Sequence, residues 1–379
     1  MGNRTRTRVS AYITGGRSEY KSGDTIYSTT YGYNGPTGYE YCADATQPYP
    51  FTVPTGLLKY KIDTVPLVAN GENVLFGKTK TVYYDYTPPD RSDWQACPQH
   101  VASVNWTKWR TKALANINPN KPAVDVPVFL FELKEFPRLL RDLGRVLSKE
   151  VKDSDVFGGY LAWSFGWGPL LDDLGKLLDL SKQVNDRLQY LRNLDGGGAK
   201  LKRALGTDEF GSTGSYTTST CTAKVVNKET HKAWFSTRAR LVGKLPMSHD
   251  DQEWLAARAA FGLNLSSASL WETIPWSWLI DYFANIGDML AADRGFIPWE
   301  AVDMCVMCTQ ALTSTLEDVK PITGVNVSGG VYTRVTLNRQ YYPLPTAGIT
   351  LFYDRFLTDH QIAILGSLAT ASSLRSLRL

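Results

Sequence analysis

Ser277, Asp281, Asn285 and Asp288 recur at i, i+4, i+8 and i+11, a spacing that on one helix would align two carboxylates on a single face. Paired carboxylates are one means of general acid–base chemistry. Glu272 and Asp281, set in apolar surroundings, are the pair a carboxylate glycosidase would use. The alternative is a hydrogen-bonded helix face that ties neighbouring elements together, and it is the preferred reading because no base, nucleophile or metal ligand converges on these residues. Cys305-Val306-Met307-Cys308 has the spacing of a zinc or redox site but lacks a second pair, and on a strand its two thiols point to opposite faces. His100, His231, His249 and His360 show no ligand spacing. No cofactor is expected.

The remaining chemistry is cationic. Arg138, Arg141, Arg145, Lys149 and Lys152 repeat at intervals of three or four beside an apolar face of Phe136, Leu139, Leu140, Leu143 and Leu147. A second cluster is Lys200, Lys202 and Arg203. Arg4, Arg6 and Arg8 would share one strand face, and Lys232, Arg238 and Arg240 another. Clusters of this kind are what phosphate contact requires. The formal net charge is only +4, so any nucleic-acid role rests on such local patches and not on a global basic field.

These residues need elements to position them. The first 95 residues hold twelve of the twenty tyrosines, separated by Gly, Thr, Ser and Pro, which reads as a series of hairpins. From about Val101 the period becomes helical, and Leu170, Leu174, Leu177, Val184, Leu188 and Leu191 form a packing seam broken at Ser181. Ser215–Val226 and His231–Val242 alternate polar and apolar and predict a long hairpin turning at Asn227-Lys228-Glu229-Thr230. Helical signals resume at Asp250. The apolar stretch from Ile274 to Ala292 is expected to be one buried helix, because Asp281, Asn285 and Asp288 argue against a membrane span. Ala301–Thr315 and Val325–Tyr342 are strand-like, with Val331, Thr333, Val335 and Leu337 on one face, and a capping-box spacing at Thr358–Gln361 opens a last helix.

Blocks this long predict a segregated α+β fold rather than a parallel sheet. The expected division is a β-region of residues 1–99, 207–247 and 296–350, and a helical region of residues 100–206, 248–295 and 351–379. A chain of 379 residues with 43% hydrophobic and 12% aromatic content buries a large core and is not disordered. Five scattered cysteines predict free thiols in a reducing compartment, and the polar opening segment predicts no secretory signal.

Two cassettes make a family visible. Phe165, Gly166, Trp167, Pro169, Leu170 and Asp173 form F-G-W-x-P-L-x-x-D. Trp271, Glu272, Pro275, Ser277, Asp281, Gly287 and Leu290 follow about a hundred residues later as W-E-x-x-P-x-S-x-x-x-D-x-x-x-x-x-G-x-M-L, with Met289 before the leucine. In this order and spacing they closely resemble the maturation protein of the single-stranded RNA bacteriophages. The resemblance implies a non-enzymatic virion protein, made in the host cytoplasm and carried at one copy per particle. It further implies an elongated shape, with a helical bundle joined end to end to a long antiparallel sheet. Its implied partners are the 3′ region of the genomic RNA, the coat-protein shell and a host pilus, with the helical region toward RNA and the β-region toward the receptor. The cassette residues are then structural, and Arg138, Arg141, Arg145, Lys149, Lys152, Lys200, Lys202 and Arg203 are the RNA-binding candidates. A β-rich adhesin without an RNA role is the competing reading from another class.

Overall fold

The computed structural model describes residues 4–14, 17–22, 25–31, 34–44, 57–65, 67–75, 78–82, 103–132, 172, 175–176, 179–217, 221–263, 266–274, 277–352 and 362–366. The Tyr-rich first part forms β1 (Arg4–Thr14), β2 (Arg17–Ser22), β3 (Thr25–Tyr31), β4 (Asn34–Asp44), β5 (Leu57–Val65), β6 (Val68–Leu75) and β7 (Lys78–Val82). Helices α1 (Trp106–Ile117), α2 (Val126–Glu132) and α3 (Leu180–Asp195) precede the two long strands β8 (Ala199–Thr217) and β9 (Cys221–Leu241). Then come α4 (His249–Ala260), α5 (Ser267–Thr273), α6 (Ser277–Ile280) and α7 (Ile286–Asp293), followed by β10 (Trp299–Pro321), β11 (Val325–Ser328) and β12 (Val331–Tyr342).

The expected α+β class holds. Seven strands form one sheet in the order β1-β4-β5-β12-β10-β9-β8, and five form a second, β11-β6-β7-β2-β3, every pairing antiparallel. Along β9 burial alternates residue by residue: Cys221, Ala223, Val225, Asn227, Glu229, His231, Ala233, Phe235, Thr237 and Ala239 are all buried. One end of this inner face lies under α1, where Trp109, Ala113 and Ile117 pack on Leu205, Phe235, Met304 and Val306. The other end packs Tyr216, Val225, Leu312 and Tyr332 around Leu67.

Between the two apolar clusters lies a polar layer. Ser314 Oγ donates to Asn227 Oδ1 at 2.5 Å, and Asn227 Nδ2 donates to Ser212 Oγ at 3.1 Å. His231 Nε2 meets Glu229 Oε1 at 2.7 Å, and Asn338 Nδ2 donates to Gln310 Oε1 at 2.8 Å. Lys108 reaches down from α1 to Asp208 Oδ1 at 2.5 Å, both side chains buried. Buried polar groups are tolerated because they are paired, and each would cost about 1–3 kcal/mol if left without a partner.

This layer corrects the expected hairpin. Asn227–Thr230 is not a turn but the middle of β9, and the chain reverses between Thr217 and Cys221. The polar residues that imitate a turn are inward-facing members of the layer. β8 likewise opens at Ala199, well before Ser215, so Lys200, Lys202 and Arg203 are strand residues. On β12 the most buried side chains are Tyr332 and Thr336, on the face opposite Val331, Val335 and Leu337.

The stretch from Ile274 to Ala292 is not one helix. It is broken into α6 and α7 by a turn at Asp281–Tyr282–Phe283, so the expected stripe of Ser277, Asp281, Asn285 and Asp288 does not exist as a continuous face. Asn285 instead holds the chain near residue 350: its Oδ1 accepts from Thr350 N at 2.7 Å and its Nδ2 donates to Gly348 O at 2.9 Å. Among the described residues no helix is long and apolar enough to cross a membrane.

If Asn227 faces inward and Lys228 outward, truncating the two neighbours should give unequal results. Asn227→Ala should cost about 1–3 kcal/mol in denaturant unfolding because Ser212 and Ser314 lose a partner. Lys228→Ala should stay within about 0.5 kcal/mol of the parent. Equal effects would restore the turn.

Candidate nucleic-acid interface

The second cassette explains its own spacing. Asp281 sits in the turn after α6, and its carboxylate is shared by two donors: the Trp271 indole Nε1 gives to Oδ2 at 3.1 Å, and the Gly287 main-chain N–H gives to Oδ1 at 2.8 Å. One carboxylate therefore clamps the end of α5 to the first turn of α7, where a negative charge also suits the helix dipole. A Cβ at position 287 would lie 2.7 Å from Asp281 Oδ2, so the clamp closes only on glycine. Ser277 is buried, Trp271 and Leu290 are half-buried, and Glu272 is exposed. Pro275, and Phe165, Gly166, Trp167, Pro169, Leu170 and Asp173 of the first cassette, lie outside the described residues.

This geometry assigns Asp281 to positioning. Both of its oxygens are engaged by the clamp. Asp288 is a different carboxyl: burial pushes its pKa up, and Lys112 and Lys121 offset this only in part. Cys305 and Cys308 point to opposite faces of β10, opposite Ser236 and Ala233 of β9 respectively, and burial pushes the Cys308 thiol up to about 12. Among the described residues no group of three or more His, Cys, Asp and Glu is placed to hold a metal ion.

Polar staples fix the helices beside the sheet. Asn118, just after α1, donates to Ala291 O and Arg294 O at 2.9 and 2.6 Å, and Asn120 accepts from Ile297 N at 2.8 Å. Arg294 pairs with Asp125, which also accepts from Ser269 Oγ at 2.7 Å. Together they bind α1, the α1–α2 turn, α5 and the end of α7 into one body.

The outer face of the seven-stranded sheet carries the charge. Direct partners across antiparallel strands share a face, and one row of partners runs Arg6, Cys42, Lys59, Leu337, Thr309, Lys232 and Thr207 across all seven strands. Arg8 and Lys61 lie in the adjacent row, and along β9 the same face presents Lys224, Lys228, Arg238 and Arg240, all exposed. The two strand sets that look unrelated in the sequence, around Arg6 and around Lys232, thus belong to one surface. Its acids are fewer, and Lys61 and Arg240 are each paired, with Asp63 at 2.6 Å and with Glu300.

Of the sequence-derived RNA candidates, Lys200 and Lys202 join this outer face beside Arg238 and Ser236, while Arg203 projects to the opposite side, opposite Phe235. The structure therefore separates that cluster. Arg138, Arg141, Arg145, Lys149 and Lys152 lie outside the described residues. Lys224, Lys228 and Lys59 were missed because no dense run of cations marks them in sequence, and only strand register assembles them. Period-two spacing along β9 was the available signal.

Comparison with known proteins gives one match and one absence. A family model described as phage maturation protein matches residues 134–331, more than half of the 379-residue chain. No curated protein matches the chain.

The clamp predicts that Gly287→Ala destabilises by about 1–3 kcal/mol through overpacking. Asp281→Asn should cost a similar amount, because an amide N–H would face the indole N–H. Adding Trp271→Phe to the Asn variant should cost little more, whereas independent effects would add in full. Asp288 predicts a pH dependence. A carboxyl whose folded pKa is raised contributes stability that is complete below its unfolded value, near 3.9, and is lost as pH rises through the folded value. Asp288→Asn should therefore gain on the parent as pH rises through that window. A stability difference independent of pH would contradict the burial of Asp288.

Proposed function

Because the chain belongs to the phage maturation protein family, whose members are virion components, we propose that it binds the phage genomic RNA toward its 3′ end, is built into the coat shell and mediates adsorption to a host pilus and genome entry. It does so as a single copy per particle, made in the host cytoplasm and without a catalytic step. The observation that carries the RNA part of this reading is the outer sheet face, where cations from β1, β5, β8 and β9 fall on one open surface. Phosphate neutralisation supplies most sequence-independent affinity, and solvent-facing Lys and Arg of this kind provide it. The recurring cations Arg138, Arg141, Arg145, Lys149 and Lys152 are a second RNA candidate in the same reading.

Adsorption is assigned to the Tyr-rich β-region of residues 1–99. Tyrosine offers large contact area at low entropic cost, and Ser, Gly and Asn supply adaptable hydrogen bonds. This departs from the expected division between a receptor-facing β-region and an RNA-facing helical region, because β1, β5 and β9, which that division turns toward the receptor, carry the basic face proposed here for RNA.

Lys224→Gln, Lys228→Gln and Lys232→Gln combined should flatten the log–log salt dependence of binding to genomic 3′ RNA by about two, since each phosphate contact on single-stranded RNA contributes about 0.7. The fold should survive because all three side chains face solvent. An unchanged slope on folded protein would remove the sheet face from the interface. Exchange of residues 20–50 for those of a related phage should change host range while particles still assemble, and unchanged host range would move adsorption elsewhere.

A further inference from the structure

Arg203 leaves the outer face and enters a cleft of about 340 Å³ between α3, the α1–α2 turn and the edge strand β8, lined also by Arg187, Tyr190, Lys121 and Gln183. This volume falls at the small end of ligand sites. Arg187 donates to Pro119 O at 2.8 Å and to Lys121 O at 2.5 Å, so two of its five N–H groups fix the turn and three remain. Tyr190 is spent on Ile117 O at 2.6 Å.

The charge in this cleft is out of balance. Burial pushes the Arg187 pKa down, and the nearby Arg203 guanidinium pushes it further, with only the Tyr190 hydroxyl opposing. Asp186 also lines the cleft, but it is exposed and forms no ion pair among the described residues. Two guanidiniums and the Lys121 ammonium thus share a recess without a paired carboxylate. Like charges are kept this close at a cost that an anion would reverse, and a guanidinium fork matches the oxygens of a phosphate.

We propose that the cleft between α3 and β8 is a phosphate-binding pocket, with Arg187 as its fixed donor and Arg203 and Lys121 as closing cations. Its natural ligand is a backbone phosphate of single-stranded RNA, and in this the inference rests on the RNA-binding reading above.

The test uses the full chain and an Arg203→Gln/Lys121→Gln variant, both exposed positions that spare the Arg187 anchor, with folding checked by thermal unfolding. Binding of a ten-residue oligouridylate is followed by anisotropy against salt, and binding of inorganic phosphate by ³¹P line broadening. The expected result is parental broadening that the variant loses, together with a salt slope flatter by about 0.7 in the variant. Parental RNA binding with an unchanged slope and unchanged broadening in the variant would overturn the pocket and leave the RNA reading standing. Broadening that depends on Arg203 and Lys121 without any oligouridylate binding would keep the anion pocket and overturn the RNA reading. Binding of oligoglutamate instead of either phosphate probe would overturn the phosphate assignment.

Discussion

Twenty-one consecutive residues of β9 are held in one pleat between β8 and β10, and this fixes the side of the sheet on which each side chain falls. Odd-numbered positions from Cys221 to Ala239 go to the interior, even-numbered ones to the exterior. A slip of one residue would bury Lys224, Lys228, Lys232 and Arg238 together and expose Phe235. The core under α1, the polar layer and the cationic face are thus set by a single register. The pairing of Ser314 with Asn227 and the contact of Glu229 with His231 help to pin it, since polar partners must meet in one alignment whereas apolar ones tolerate several.

Long elements with one clear period could be read in the sequence. The strand character of β10 and β12 and the helix from Asp250 emerge as expected because their side chains alternate or repeat cleanly. The reading failed where a tertiary partner outweighed local propensity. Asn227 and Glu229 resemble turn residues until Ser314, Ser212 and His231 are supplied from distant chain. Ile274–Ala292 resembles a single apolar helix until Asp281 and Asn285 take main-chain partners that end one helix and begin the next.

The candidate site divides in the same way. The cassette from Trp271 to Leu290 was visible as a pattern, and Asp281 was legible as a residue that ties elements together, but the reason for Gly287 needed coordinates. Lys200 and Arg203 looked equivalent from three residues apart. Strand geometry places them on opposite faces, one on an open surface and one in a cleft. A modest net charge of +4 hid both, because acids elsewhere in the chain balance cations that the fold gathers.

The order of strands in the large sheet also sets a schedule. β1, β4 and β5 reach β10, β9 and β8 only through β12, so the seam between Leu57–Val65 and Val331–Arg339 joins segments more than 260 residues apart. At about 5–20 residues per second, a ribosome that has just released Val65 needs roughly 15–50 s to deliver Val331. Through that interval the N-terminal strands present an unpaired edge at β5. The last strand of this sheet thereby completes its first, and a chain cut short before β12 would leave two partial sheets with no hydrogen bonds between them.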